Sequence, residues 1–160
     1  MSFKIVPISK EYISGLRAQG RDEFGNEIAE QVAGGYGPCR VSLKPFKPGI
    51  DRRLLLGHSP FELANAFAQP GPIFVNSGDI EEYADVHRFP PEIKADKKNF
   101  PLSLIGYNLK QEMVFSELVG EQDVNAMIDR VFANEPDVEY LHARNSQAGC
   151  FICKIERVES

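Results

Sequence analysis

The residues best suited to chemistry lie together near the end of the chain. Residues 138–158 read VEYLHARNSQAGCFICKIERV and include His142, Arg144, Asn145, Cys150 and Cys153. A neighbouring imidazole or guanidinium favours the thiolate form of a cysteine, which is its nucleophilic form. A guanidinium can also hold a carboxylate or phosphate through two parallel hydrogen bonds. The segment therefore offers two kinds of chemistry, a cysteine nucleophile and an anion-binding face.

The fold of this segment decides which of these side chains meet. Two alternating runs flank residues 145–149, where Asn and Gly suit a turn. Because successive side chains of a strand point to opposite faces, we predict a hairpin with Arg144 opposite Cys150. One face is then apolar and consists of Leu141, Ala143, Phe151, Cys153 and Ile155. The other face carries Tyr140, His142, Arg144, Cys150, Ile152 and Lys154. A shift by one residue would place Phe151 beside His142 and Lys154 in the apolar set, so burial favours the first register.

Two functions follow from the polar face. The first is a non-catalytic module that binds a small anionic ligand, or a partner chain, through Arg144, His142, Asn145 and Tyr140. The second is a small hydrolase or transferase with Cys150 as nucleophile and His142 as base. We favour the binding module, because the sequence reveals neither an oxyanion hole nor a group that orients the base.

The other cysteines and histidines predict no metal site and no cofactor. Cys150 and Cys153 form a Cys-x-x-Cys pair, but residues three apart on a strand point to opposite faces and cannot share one ion. Structural zinc also needs four ligands, so Cys153 is interpreted as a core residue. His58 and His87 stand alone in the sequence and receive no role.

Arg40 is a second candidate ligand-binding residue. It follows Cys39 in a run that is predicted to form a strand. If that strand lies against the hairpin, Arg40 and Arg144 flank a common pocket. Pairing with an acidic residue for structural reasons is an equally good interpretation of Arg40.

Composition limits the broad class of the protein. The chain has 160 residues, of which 42% are hydrophobic and 26% charged, as expected for one globular domain over residues 1–160. A formal net charge of −5 argues against a nucleic-acid-backbone binder. No apolar run is long enough to span a membrane, and no secretory signal is recognisable. Three cysteines suit a reducing cytoplasm. The oligomeric state stays open.

The remaining elements predict an α+β fold, with a largely antiparallel sheet of about seven or eight strands and two main helices. The two helices cover residues 10–19, after a Ser9 cap, and residues 120–134, where an apolar stripe recurs at helical spacing. Residues 21–38 are interpreted as an ordered loop, and residues 81–98 as mostly loop with a short helix. Strands are predicted at residues 3–8, as an edge, and at 39–43, 52–59, 71–76, 101–109 and 113–119. The second and third of these are expected to form a hairpin.

Several motifs together resemble a known family. They are Gly35-Tyr36, Pro38-Cys39-Arg40-Val41-Ser42-Leu43, Leu54-Leu55-Leu56, Gly71-Pro72-Ile73-Phe74-Val75, Tyr140-Leu141-His142-Ala143-Arg144-Asn145 and Gly149-Cys150-Phe151. From about residue 3 to 158 the chain resembles the bacterial family known as domain of unknown function 1203. The resemblance implies no established activity. Some members carry a second cysteine where this chain has Ser42, so a metal site at Cys39 is disfavoured here. An extra Gly37 also separates Tyr36 from Pro38.

Overall fold

The structure is a computed structural model and describes residues 3–158. This part of the chain forms eight strands and three helices. In chain order the elements are β1 (Phe3–Val6), α1 (Lys10–Gln19), β2 (Ala29–Val32), β3 (Arg52–His58), β4 (Gly71–Asn76), α2 (Pro91–Ala95), β5 (Leu102–Tyr107), β6 (Met113–Leu118), α3 (Val124–Asn134), β7 (Tyr140–Asn145) and β8 (Phe151–Arg157). The predicted α+β class, the strand number and the C-terminal hairpin are confirmed.

The strands are divided between two antiparallel sheets. The larger sheet has the order β1-β8-β7-β5-β6, and the smaller sheet has the order β2-β3-β4. β1 is an edge strand, as its short length and following Pro7 suggested. The pairings β5–β6 and β7–β8 are those expected from their adjacency in the sequence.

The predicted hairpin of residues 39–43 with residues 52–59 is wrong. Residues 39–43 form a turn, in which the Leu43 amide donates to the Cys39 carbonyl and Leu43 has a φ of 53°. β3 pairs instead with β2 and β4. All five residues of the segment are buried. The segment therefore lacks the alternation of buried and exposed side chains that a surface strand shows.

The strand β2 lies inside the segment that was predicted to be a loop. Its sequence, Ala-Glu-Gln-Val, is mostly exposed and lacks an apolar face. It forms because β3 offers a backbone edge, with Ala29 opposite Leu55 and Val32 opposite Arg52. A tertiary contact of this kind leaves no periodic signal in the sequence.

The two longer helices, α1 and α3, each begin at a side-chain cap. Ser9 accepts from the Tyr12 amide at the start of α1, as expected. α3 begins at Val124, later than predicted, because Asp123 caps the Ala126 amide and Gly120 has a φ of 56°. The predicted apolar stripe of α3 is confirmed, and its members Val124, Met127, Ile128, Val131 and Phe132 are buried.

Two clusters of buried side chains form the interior. One lies between α3 and the larger sheet and includes Met127, Ile128, Leu141 and Ile155. The other joins α1 to the smaller sheet through residues such as Leu16, Leu56 and Val75, and it also contains Phe151 from β8. Phe151 therefore lies where the two sheets approach each other, on the larger sheet's face opposite the first cluster.

Candidate ligand-binding cleft

An irregularity in the C-terminal hairpin sets the geometry of the site. His142 pairs with Lys154 and Ala143 with Cys153, but Arg144 pairs with Phe151, so β8 contains one extra residue at this point. The predicted pairing of Arg144 with Cys150 is therefore wrong. Cys150 lies in the connection just before β8.

The bulge exchanges two side chains between the faces of the hairpin. Ile152 joins Leu141 and the first core cluster, whereas Phe151 packs on the other face with its ring centroid 4.8 Å from that of His142. The prediction had placed Phe151 on the core face and Ile152 beside His142. The pattern of alternation alone could not locate the extra residue, because a bulge interrupts the period of two.

His142 is fully buried in an aromatic cage. Its ring centroid lies 4.6 Å from that of Tyr107, 5.1 Å from Phe61 and 5.4 Å from Tyr140. Nη2 of Arg144 lies 3.2 Å from Nδ1 of His142. Because a guanidinium can only donate, Nδ1 is the acceptor and the imidazole proton is on Nε2. Burial, with a smaller effect from the Arg144 charge, lowers the pKa of His142 to about 2. The ring is therefore neutral at physiological pH.

The two tyrosines of the cage are also held in an apolar environment. Tyr107 and Tyr140 stack with ring centroids 5.4 Å apart, and the Lys154 ammonium lies 4.6 Å from the centroid of Tyr140. Burial raises the pKa of the Tyr107 hydroxyl, an effect that Arg144 partly offsets. Neither the Tyr140 hydroxyl nor Nε2 of His142 has a hydrogen-bond partner among the described residues. Tyr140 and His142, both predicted site residues, thus lie inside the protein, and Phe61 and Phe151 pack against His142.

Arg144 is the predicted residue that reaches solvent-accessible space. It is half-buried, its Nη1 donates to the Gly149 carbonyl at 3.2 Å, and its guanidinium carbon lies 5.8 Å from the centroid of Phe151. With His142 as its other partner, the guanidinium is fixed in orientation by the hairpin itself. The guanidinium also interacts with the Tyr107 hydroxyl. Since it has five N–H groups, donors are left for a ligand.

Arg40 approaches the same aromatic residue from the other side. Its Nε donates to the Phe151 carbonyl at 2.8 Å and its Nη1 donates to the Pro38 carbonyl. The side chain is buried, with an exposed fraction of 3%. Burial lowers the pKa of Arg40 to about 10, an effect that the nearby Cys150 thiol partly opposes. Arg40 therefore keeps its charge at neutral pH and lies against the hairpin, a position that the sequence left open.

A cleft opens beside Arg144, between the two sheets. It has a volume of about 280 Å³. One wall comes from the turn and start of β8 and the other from the end of β3 and the start of β4. We call it the hairpin cleft, and its lining residues are His58, Pro60, Gln69, Pro70, Gly71, Pro72, Ile73, Arg144, Ala148, Gly149, Cys150 and Phe151. The half-buried Cys150 reaches it, whereas His142, Tyr140, Arg40 and Asn145 do not line it.

Asn145 has a structural position in the hairpin turn. Its Oδ1 accepts from the amides of Gln147, at 2.9 Å, and Ala148, at 2.8 Å. This arrangement shapes residues 145–149. Asn145 therefore stabilises the turn that forms one wall of the cleft, but it does not line the cleft itself. Cys153 is a core residue, as interpreted, and burial raises the pKa of its thiol to about 12.

His58 is the functional candidate that the sequence did not reveal. Its ring lies between those of Tyr12 and Phe151, with centroid distances of 5.9 and 6.0 Å. Burial lowers its pKa, and its Nδ1 has no hydrogen-bond partner among residues 3–158. The signal was present in β3, where Leu54, Leu56 and His58 alternate toward one face, but its position opposite the hairpin required the tertiary structure.

Comparison with known proteins places the chain in a family. A family model described as protein of unknown function (DUF1203) matches residues 36–157, which is more than half of the chain. The chain belongs to the DUF1203 family. No curated protein and no solved structure matches it.

The part that matches DUF1203 contains the complete cleft. Every lining residue, from His58 to Phe151, and the buried Arg40 fall within residues 36–157. β1, α1 and β2 precede the match, although β1 pairs with β8 in the larger sheet and β2 with β3 in the smaller one. Among the helices of residues 3–158, none combines the length and hydropathy that crossing a bilayer requires.

Proposed function

We propose that this DUF1203 protein is a non-catalytic, cytoplasmic binding module that holds a small anionic ligand in the hairpin cleft. The observation that carries the proposal is the charge around the cleft. Arg144 and Arg40 flank Phe151, and neither forms an ion pair among residues 3–158. No lining residue is acidic. Two guanidiniums without carboxylate partners, in a chain of net charge −5, make a local site for negative charge.

The polar groups of the cleft suit a carboxylate or a phosphate. Arg144 can present a planar pair of N–H groups, which matches the two oxygens of either anion. His58 faces it from the opposite wall, and the Gln69 side chain adds an amide. Arg40 does not line the cleft, so its charge acts on the ligand only through the electrostatic potential. These groups would fix the ligand's orientation, while the proline residues exclude water from one side.

The size of the cleft limits the ligand to a small molecule. A volume of about 280 Å³ lies just below the range of roughly 300–1,000 Å³ in which drug-sized ligands are held. Inorganic phosphate, sulfate and carboxylates of a few carbon atoms fit this volume. The ligand class is therefore a small mono- or dianion.

The geometry favours binding over cysteine catalysis with His142 as the base. Nδ1 of His142 already accepts from Arg144, and the ring is enclosed by Phe61 and Phe151. A general base must exchange a proton with its nucleophile at hydrogen-bond distance, and His142 does not line the cleft that Cys150 reaches. Alkylation by iodoacetamide across a pH series tests this alternative, with Cys150→Ser as the control. A thiol at Cys150 that reacts with a strongly lowered pKa would support the enzyme and count against our proposal.

A thermal-shift screen with phosphate, sulfate and small carboxylates tests the binding function. At a concentration one hundred times Kd a ligand stabilises the protein by about 2.7 kcal/mol. For a chain of this length that corresponds to a rise in Tm of roughly 5–10 °C. Arg144→Gln should abolish the shift, because it removes the guanidinium while preserving a polar side chain.

Arg88→Gln is the matched control. Arg88 is an exposed arginine that pairs with Asp85 at 3.0 Å, so its loss changes the net charge equally without touching the cleft. A shift that is lost in both variants would report a nonspecific charge effect. A screen without hits, or hits that survive Arg144→Gln, would refute the proposed function.

A further inference from the structure

Other segments of the chain cover two of the four edge strands of the sheets, β1 and β4. Along β1, the Ile5 amide donates to the Val86 carbonyl at 2.6 Å and His87 donates to the Phe3 carbonyl at 2.9 Å. Along β4, the Arg40 amide donates to the Phe74 carbonyl at 3.1 Å. β2 is a short strand of four residues that carries Glu30. Covered edges and charged short edges are the usual means by which proteins prevent strand-to-strand association.

β6 is not covered by another segment among residues 3–158, and its one irregularity is a bulge at Val114, near its N-terminal end. It is the other edge of the larger sheet and is six residues long. Besides its ladder with β5, the only hydrogen bond to its backbone among residues 3–158 is the one that Gln122 donates to the Leu118 carbonyl at 3.3 Å. Its outward-facing amides and carbonyls are therefore free to pair with another strand.

The exposed apolar side chains of the protein are concentrated at the same edge. Val114 has an exposed fraction of 46% and Leu118 of 65%. Of the ten large apolar residues that are exposed in the described chain, six belong to β6, to the β5–β6 turn, or to the loop hydrogen-bonded to that turn; they are Leu63, Phe67, Leu109, Met113, Val114 and Leu118. An unpaired strand bordered by an apolar surface is typical of an interface.

The charges at this edge point to a second copy of the chain as the partner. Glu117 is the one charged residue within β6, and Arg130 of α3 neutralises it at 2.5 Å. Two copies of a protein with a net charge of −5 repel each other over most of their surfaces, but here no unpaired acidic residue of β6 would face its equivalent. A basic or acidic partner would find no complementary charge on the strand.

We propose that β6 pairs antiparallel with β6 of a second copy, about a two-fold axis at Ser116. The larger sheet would then continue from one copy into the other. In a two-fold antiparallel pair the residue on the axis faces itself, and residues equally distant from it face each other. Val114 of each copy therefore lies opposite Leu118 of the other, so these two residues of each strand cover those of its partner.

Sedimentation velocity tests the assembly directly. The expected result is a species of twice the chain mass of 17.9 kDa that dissociates on dilution. Val114→Lys and Leu118→Lys should each shift the protein to a monomer, because each places a charge opposite an apolar residue. Ile50→Lys is the matched control, since Ile50 is 74% exposed but lies away from this edge. Circular dichroism checks that each variant is folded. Two variants are used so that the test still stands if one of them misfolds.

A cross-link tests the two-fold axis. In a Cys150→Ser background, Ser116→Cys places two thiols opposite each other, and mild oxidation should yield a disulfide-linked dimer. The same substitution at Ser14, an exposed residue of α1, should remain monomeric on a denaturing gel. A monomeric wild-type protein at all concentrations, a dimer that persists in both lysine variants, or a Ser116→Cys protein that does not cross-link would overturn the proposal.

Discussion

The neutral, buried His142 should make the stability of the protein depend on pH. In the unfolded chain an imidazole has an ordinary pKa near 6.5, whereas in the folded protein burial lowers the pKa of His142 to about 2. Below pH 6.5 the unfolded state takes up a proton that the folded state does not, so stability falls as pH falls. Each pH unit costs about 1.4 kcal/mol. Between pH 7 and pH 5 the loss from this one residue is about 2 kcal/mol.

Of the other groups with lowered pKa values, His58 acts in the same pH interval and the aspartates act below it. His58 also has a lowered pKa and adds a loss of the same sign. The aspartates with lowered pKa values keep their contribution above their ordinary value of 3.8 and lose it only in more acidic solution; they are Asp22, Asp79, Asp96 and Asp123. The interval from pH 7 to pH 5 therefore reports the histidines.

Urea denaturation of the wild type and His142→Phe at pH 7 and pH 5 measures the effect. Phenylalanine suits the aromatic cage and does not titrate, so the variant should lose about 2 kcal/mol less than the wild type between the two pH values. Tyr140→Phe is the control, because it changes the same cage without removing the imidazole, and it should keep the wild-type dependence. Equal losses in the wild type and His142→Phe would refute the assignment of His142 as a buried neutral ring.

Three further outcomes are expected. Gly106→Ala should lower the free energy of unfolding by about 1–3 kcal/mol, measured by urea denaturation, because the added Cβ would lie 2.9 Å from Cγ2 of Val138. Arg40→Leu should lower it by about 1–3 kcal/mol, since the buried Phe151 carbonyl loses its donor. The affinity for sulfate, measured by calorimetry, should rise as the pH falls and His58 gains a proton. Because burial lowers the pKa of His58, this rise should come in more acidic solution than for an exposed histidine.

Each of these outcomes has its own control. Gly15 lies in α1 with no atom within 4 Å of an added Cβ, so Gly15→Ala should stabilise the protein by about 0.5–1 kcal/mol. An Arg40→Leu protein as stable as the wild type would mean that the desolvation cost of the charge outweighs its hydrogen bonds. For the third outcome, a pH dependence of sulfate binding that persists in His58→Gln would exclude His58 as its source.

The parts of the fold that the sequence predicts are those with periodic or local signals. The apolar stripe of α3, the Ser9 cap of α1 and the alternating arms of β7 and β8 are local properties, and each is found in the structure. β2 and the turn at residues 39–43 depend on contacts with distant strands. Their residues carry no period of their own, so the sequence assigned a loop to one and a strand to the other.

The candidate site was predictable in its location but not in its composition. The hairpin of β7 and β8 forms one wall, and Arg144 lies where a ligand could reach it. The inserted residue at Ile152 then turns Phe151 over His142 and removes the imidazole from the surface. The second wall, with His58, comes from a sheet whose position relative to the hairpin no local pattern encodes.

The two walls of the hairpin cleft belong to different sheets, and this has a consequence for cooperativity. Pro72 and Ile73 belong to the smaller sheet, whereas Arg144 belongs to the larger one and Cys150 to the connection between its strands β7 and β8. A ligand that contacts both walls connects the smaller sheet to the larger one. Ligand binding then stabilises the contact between the two sheets. The ligand-saturated protein should therefore open locally less often at this contact than along its outer strands.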